Sequence, residues 1–338
     1  MNSIARNPKP ETGVLLLNLG GPETPDQIQP YLYELFSDPE IIQLPLGGIF
    51  RKPFARWMSG KRAEKVKAKY LAIGGSPMIG ETRKQAQALA KILGMPTDFA
   101  MRYLNPRISD AIKNLISLGA SRLVVIPLFP QYSRTTSGSV IAEFKKQNSS
   151  LPYIIIKDHH NSPGYITALG SGLNNALKDL DPSLRSHLLF TAHSLPEKYL
   201  CQGDPYLAQT EETVQLLVRG ADTPVRAPYS LAFQSKLGPI KWHGPLLEEE
   251  LEALAKKGIE QLIVFPVSFA AENLETRFDL DLEFKQKCLQ AGIKKFIRIP
   301  CPGSSEIYLN ALAELVMSRV ADKSVCSTKT DQWESPDA

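Results

Sequence analysis

Paired cysteines are missing from this chain. Cys201, Cys288, Cys301 and Cys326 are scattered with no CxxC among them, so spacing suggests neither a disulfide framework nor a zinc ribbon, and a reducing compartment fits. Long hydrophobic runs are missing too. No stretch approaches the roughly 18 apolar residues of a membrane span, and the opening MNSIARNPKPETG lacks the apolar core of a signal peptide. The expected location is therefore the cytoplasm. A formal net charge of +4 is mild, so nucleic acid is not expected as a partner. A dinucleotide loop is also absent. In LLLNLGGPETP the glycines Gly20 and Gly21 are adjacent and Pro22 follows, which breaks G-x-G-x-x-G and removes an N–H that a phosphate cradle would use. Close approach of backbone to a flat ligand is the expected use of these glycines.

With 338 residues, 43% of them hydrophobic and 22% charged, the chain exceeds the size at which one core stops growing, and two globular domains are expected. Apolar runs bounded by Gly, Pro or Asn predict strands over 13–19, 98–104, 122–128, 153–157, 187–192, 229–234, 261–267 and 295–299. Helical periodicity predicts helices over 80–93, 107–118, 163–180, 205–218, 245–257, 272–290 and 304–320. Strand followed by helix is the signature of an α/β fold with mainly parallel sheets flanked by helices. GASRLVVIPLF (119–129) and GIEQLIVFPVSF (258–269) each place a proline eight residues after a glycine. That echo points to duplicated halves, although any buried strand looks similar. The expected organisation is an N-terminal domain over 10–155, a C-terminal domain over 156–320 and a disordered polar tail over 321–338, with a ligand cleft at the C-terminal ends of the strands.

Three segments could carry chemistry. Residues 44–62 hold Arg51, Lys52, Arg56, Lys61 and Arg62 with no acidic residue, beside Ile49, Phe50, Phe54, Trp57 and Met58. A solvated basic helix would explain the charges, but so many apolar groups suggest a lip over a site. His193 ends an apolar strand in TAHSLPEKYL, where an imidazole can take a proton or a metal near neutral pH, although a lone histidine is usually structural. Glu272, Glu275, Asp279 and Glu283 recur at intervals of three, four and four, which puts them on one helix face. That face is either merely solvated or a route for cations. His159, His160, His187 and His243 are expected to pack or to lie at the surface.

These segments together resemble the ferrochelatase family. The resemblance spans Val14 to about Leu315 and rests on LLLNLGGPETP (15–25), GGSPM (74–78), RYLNP (102–106), PQYS (130–133), TAHSLPEKY (191–199), GDPY (203–206), QSKLGPIKWHGP (234–245) and LET (274–276). It implies two Rossmann-like domains around a porphyrin cleft and insertion of Fe2+ into protoporphyrin IX, the last step of haem biosynthesis. It also implies that His193 and Glu275 are catalytic, on opposite sides of the ring, and that His193, Glu275, Asp279 and Glu283 handle metal. Leu19, Arg102, Tyr103, Tyr132, Ser133, Trp242 and Phe269 fall on pocket positions, and 44–62 falls on the family's lip, which suggests peripheral association with the inner face of the membrane.

Two departures bear on cofactors. Some relatives bind an iron–sulfur cluster through a mid-chain cysteine and three near the C-terminus; here Arg134 stands at the first position and the tail holds only Cys326, so no cluster and no tightly bound cofactor is expected. Asn273 stands where several relatives have histidine. Coproporphyrin III as substrate, another tetrapyrrole chelatase, and a two-lobed small-molecule binding protein remain alternative readings.

Overall fold

The structure is a computed structural model that describes residues 11–43, 47–148, 150–220, 227–236, 238 and 240–321. Its frame is two four-stranded sheets, all parallel. The first holds β1 (Glu11–Asn18), β2 (Thr97–Met101), β3 (Ala120–Pro127) and β4 (Tyr153–Ile155) in the order β2-β1-β3-β4; the second holds β5 (Ser186–His193), β6 (Tyr229–Gln234), β7 (Gln261–Pro266) and β8 (Lys295–Arg298) in the order β6-β5-β7-β8. Every strand expected from the sequence is present within a few residues. Val14 to Leu17, Leu123 to Ile126 and Leu262 to Phe265 are wholly buried, as parallel strands covered on both faces must be.

The two sheets repeat one topology, and the sequence echo supplies the equivalent strands β3 and β7. Pro127 and Pro266 end them opposite Leu17 and Thr191. A proline has no N–H to continue the ladder, so both strands stop there and the chain turns out over the sheet's C-terminal edge.

Helices α3 (Met78–Leu93), α4 (Ile108–Ser117), α6 (Pro163–Lys178), α8 (Tyr206–Gly220), α9 (Leu247–Lys256) and α11 (Glu306–Ala321) match the expected ones. Four were not foreseen: α1 (Ile28–Ser37), α2 (Arg51–Ala72), α5 (Ser139–Gln147) and the short α7 (Glu197–Cys201). The lip is thus a 3-10 turn over Gly47–Phe50 followed by the first half of a 22-residue helix; residues 44–46 lie outside the described residues. Helix α2 buries only Ala55, Ser59, Val66 and Tyr70, too thin a stripe for apolar periodicity to reveal it. The tail expected over 321–338 also falls outside, except for Ala321.

A division near 155 separates the sheets but not their cores. One buried cluster includes Leu16, Ile126, Phe190, Phe265 and Leu312, and α11, last in sequence, packs on both α6 and α3. Between the halves His159 is buried in contact with the rings of Tyr165 and Tyr308, while the buried His160 lies between Asp158 (3.0 Å) and Glu212 (2.9 Å).

These neighbouring histidines have opposite linkage to pH. Burial lowers the His159 pKa to about 4. Burial also opposes charge on His160, but hydrogen bonds and charge from Asp158 and Glu212 outweigh it and raise its pKa above 6.5. His187 is lowered by burial. Below about pH 6.5 the unfolded chain protonates His159 and His187 while the fold resists, so stability falls with falling pH. Stability contributed by His160 is complete below that pH and lost as pH rises through its folded pKa. Urea unfolding from about pH 5 to 8 should therefore show a maximum near 6.5, each proton contributing a slope of about 1.4 kcal/mol per pH unit. His160→Gln should make the alkaline limb shallower, leaving the share of His193, whose pKa is also raised, and His159→Gln should make the acid limb shallower, leaving the share of His187; a monotonic profile in the parent would contradict this.

Candidate active site

Strand β5 delivers His193 to the C-terminal edge of the second sheet, beside Gln234 of β6. The next residue is pinned twice: the Ser194 N–H donates to the Gln234 carbonyl (2.8 Å) and its Oγ to the His243 carbonyl (2.7 Å). The His193 ring then has little freedom. Its Nδ1–H donates to the Ser194 carbonyl at 2.5 Å, which leaves Nε2 as the free nitrogen. Nε2 faces Oε1 of Glu275 at 3.3 Å. The Trp242 ring lies 6.4 Å from the imidazole, tilted by 57°.

Glu275 opens a π-helix, Glu275–Phe284, that continues into α10 (Lys285–Gln290). Windings of this kind are rare and concentrate at functional sites. Leu274 packs against the buried cluster of Ile28, Leu32, Phe36, Ala55, Val66 and Tyr70 between α1 and α2, so the hairpin carrying the lip lies against the start of the π-helix. A cleft of about 550 Å³ opens on that hairpin, lined by Tyr33, Lys52, Pro53, Arg56 and Trp57.

Burial disfavours charge on His193, but the Glu275 charge, its hydrogen bond, the Ser194 carbonyl and Asp279 more than compensate and hold its pKa above 6.5. Desolvation first, then the Glu275 charge, raises the pKa of the Tyr31 hydroxyl, so this half-buried ring stays protonated. The pair could exchange a proton between Nε2 and Oε1 or place two donors on one metal. Among the described residues no group of three or more His, Cys, Asp or Glu side chains could hold a metal ion.

The ferrochelatase family model matches residues 11–320, nearly the whole described chain. The chain belongs to the ferrochelatase family. It is 38% identical to the ferrochelatase of Synechocystis over 92% of this chain and 83% of that protein, and 39% identical to that of Gloeobacter violaceus over 92% and 98%. Among solved structures, SirB from Bacillus subtilis with Fe3+ shares the fold, with a TM-score of 0.54 at 13% identity over 91% of this chain and 95% of SirB. The fold class expected for a ferrochelatase relative, two Rossmann-like α/β units, is the one observed.

Most of the residues carried over from the ferrochelatase family already hold partners within the protein. His193 Nε2 and Glu275 Oε1 lie 3.3 Å apart. Glu272 does not join the stripe. It precedes the helix, where Oε1 accepts from Arg298 Nη1 (2.7 Å) and the Cys301 N–H (2.9 Å) and Oε2 from Thr276 Oγ1 (2.6 Å). Burial alone would raise its pKa, but Arg298 and these donors hold it below the ordinary carboxylate value. Asp279 and Glu283 both accept from Lys69.

Tyr103 is buried, 1% exposed, with its hydroxyl on Asp38 (2.8 Å). Arg102 is likewise turned inward, onto Asp38 at 3.0 Å and Glu143 at 3.6 Å. Ser133 is buried, caps the π-turn Arg134–Gly138 and donates to Asp204 (3.0 Å). Leu19 and Tyr132 pack at the edge of the cluster under the first sheet, and Trp242 and Phe269 are half-buried. The paired glycines have a packing reason of their own: Gly20 needs φ +89°, and a Cβ on Gly21 would lie 2.2 Å from Ser76 Oγ. Arg134 Nε donates to Glu40 at 2.7 Å; Cys288 and Cys301 are buried, Cys201 is exposed, and Cys326 is outside the described residues. Sequence reasoning missed Lys69, Tyr31 and Asp38, and nothing in their local sequence marks them.

Proposed function

We propose that this chain is a lyase of haem biosynthesis that inserts Fe2+ into protoporphyrin IX, and that His193 and Glu275 perform the exchange. The observation that carries this reading is the free Nε2 of a ring held by Ser194, 3.3 Å from Glu275 Oε1. Metallation releases two pyrrole protons for each Fe2+ bound. His193 Nε2 accepts a proton from the macrocycle, Glu275 relays it or takes the second, and the charge leaving as protons balances the charge arriving as metal. Because Fe2+ is a substrate, Asp279 and Glu283 supply it rather than retain it. Leu19, Tyr132, Trp242 and Phe269 are the apolar or half-buried groups fit to grip the ring; Arg102, Tyr103 and Ser133 hold the pocket's frame from behind. Anaerobic incubation with Fe2+ and protoporphyrin IX or coproporphyrin III in turn, followed by the Soret shift, tests the reading. Turnover of the first should exceed that of the second, and turnover of neither would end it.

The lip fits a bilayer surface. No described helix is long and apolar enough to cross a membrane, but Ile49 is 81% exposed and Phe50 and Trp57 60% each, beside Arg51, Lys52 and Arg56. Each basic residue near an anionic surface contributes about 1 kcal/mol. The protein should co-sediment with anionic vesicles at low salt and dissociate at high salt, with Trp57→Glu weakening the association; absence of low-salt binding would confine the lip to the pocket.

A further inference from the structure

The acidic stripe ends in an alternation of charge that its sequence does not display. Glu275 faces His193. One turn on, Asp279 Oδ1 is 2.7 Å from Lys69 Nζ, and the same Nζ is 2.9 Å from Glu283 Oε2. Lys287 Nζ then bridges Glu283 Oε1 and Glu248 Oε1, 3.0 Å from each. Side-chain exposure rises along the row of acids, 26% at Glu275, 28% at Asp279, 41% at Glu283 and 59% at Glu248. The row therefore runs from the histidine to solvent, and each acid beyond Glu275 already holds an ammonium. Lys69 belongs to neither the π-helix nor its sheet. It comes from the C-terminal half of α2, the helix whose other end is the lip, and its Nζ also lies 4.9 Å from the Phe278 ring.

We propose that Lys69 is a tethered cation that competes with the incoming divalent metal for Asp279 and Glu283, and so sets how readily metal enters; this rests on the proposed metallation. Three carboxylates at successive turns would repel one another, and a single lysine charge shared between two of them relieves that without closing the route. A divalent ion brings twice the charge and can take Lys69's place, while the flexible four-carbon stem lets the ammonium swing aside without unfolding α2. Lys69 is a positioning residue: it touches neither His193 nor Glu275.

Lys69→Met keeps the length of the side chain and removes its charge. With Zn2+ as a redox-stable probe, the KM for metal should fall roughly three- to tenfold, the worth of one or two partly exposed ion pairs, while the KM for porphyrin stays unchanged. Lys69→Arg should restore the parent value. Equilibrium titration with Zn2+ alone should show the same gain in Lys69→Met and lose it when Asp279→Asn and Glu283→Gln are added. A metal KM that is unchanged or raised in a folded Lys69→Met protein overturns the proposal, and Lys69→Gln replaces it if the methionine variant does not fold. Should the parent metallate no porphyrin at all, the proposed function fails, and the Zn2+ titration still decides the role of Lys69.

Discussion

Replacing His193 with alanine should lower the rate of metal insertion by about two to four orders of magnitude, the range over which a positioned acid–base group acts, and leave porphyrin bound. The ring is held by its own neighbour's carbonyl and faces one carboxylate, so its loss removes a proton acceptor without emptying a packed core. Glu275→Gln should damage the same event. It also removes the charge that, against burial, raises the His193 pKa, so that pKa should fall and the acid limb of the rate profile should move to lower pH. Because the two groups touch, they act as a unit, and the double variant should be scarcely slower than the worse single one. Porphyrin binding by fluorescence quenching, measured beside turnover, separates the outcomes. A His193→Ala protein that metallates at near the parent rate, or that has simply unfolded, would return His193 to a structural role.

Asp38→Ala should cost the fold about 3–5 kcal/mol, the range for breaking a buried ion pair from one side. The Asp38 side chain is 1% exposed. Its Oδ2 accepts from Tyr103 Oη (2.8 Å) and Ser139 Oγ (2.5 Å) and pairs with Arg102 Nη2 (3.0 Å), while Oδ1 accepts from the Glu40 N–H (2.8 Å). Alanine would leave an arginine 15% exposed with Glu143 at 3.6 Å as its remaining acidic partner, and two buried hydroxyls short of an acceptor. Urea unfolding should show a lower midpoint at unchanged slope, and Asp38→Asn should fall between the two, since it keeps acceptors but not charge. A loss under about 1 kcal/mol would mean that water replaces the carboxylate and that the network is not sealed.

The strands were legible in the sequence because a parallel strand covered on both faces must be apolar along its whole length: LVVIP and LIVFP carry the same instruction in both halves. His193 could be placed at a cleft because a strand's last residue lies at its sheet's C-terminal edge, where such folds bind ligands. Helix α2 was not legible, since it buries little and its period is hidden among lysines and arginines. Nor were the partners of the charges. The spacing of Glu272, Glu275, Asp279 and Glu283 suggested one row, but Arg298 claims the first, His193 the second and Lys69 the last two. Tyr103 and Arg102 sat in a motif that implied ligand contact, yet Asp38, from a segment with no motif at all, turns both inward. Apolar burial is a property each segment carries in its own composition, so the sequence determined the sheets, the flanking helices and the end of β5. Coulomb attraction depends on distance in space, and Lys69 lies 210 positions from Asp279 in sequence but 2.7 Å away in the fold, so which acid meets a metal, a histidine or a lysine was decided only when the two halves and the α1–α2 hairpin packed together.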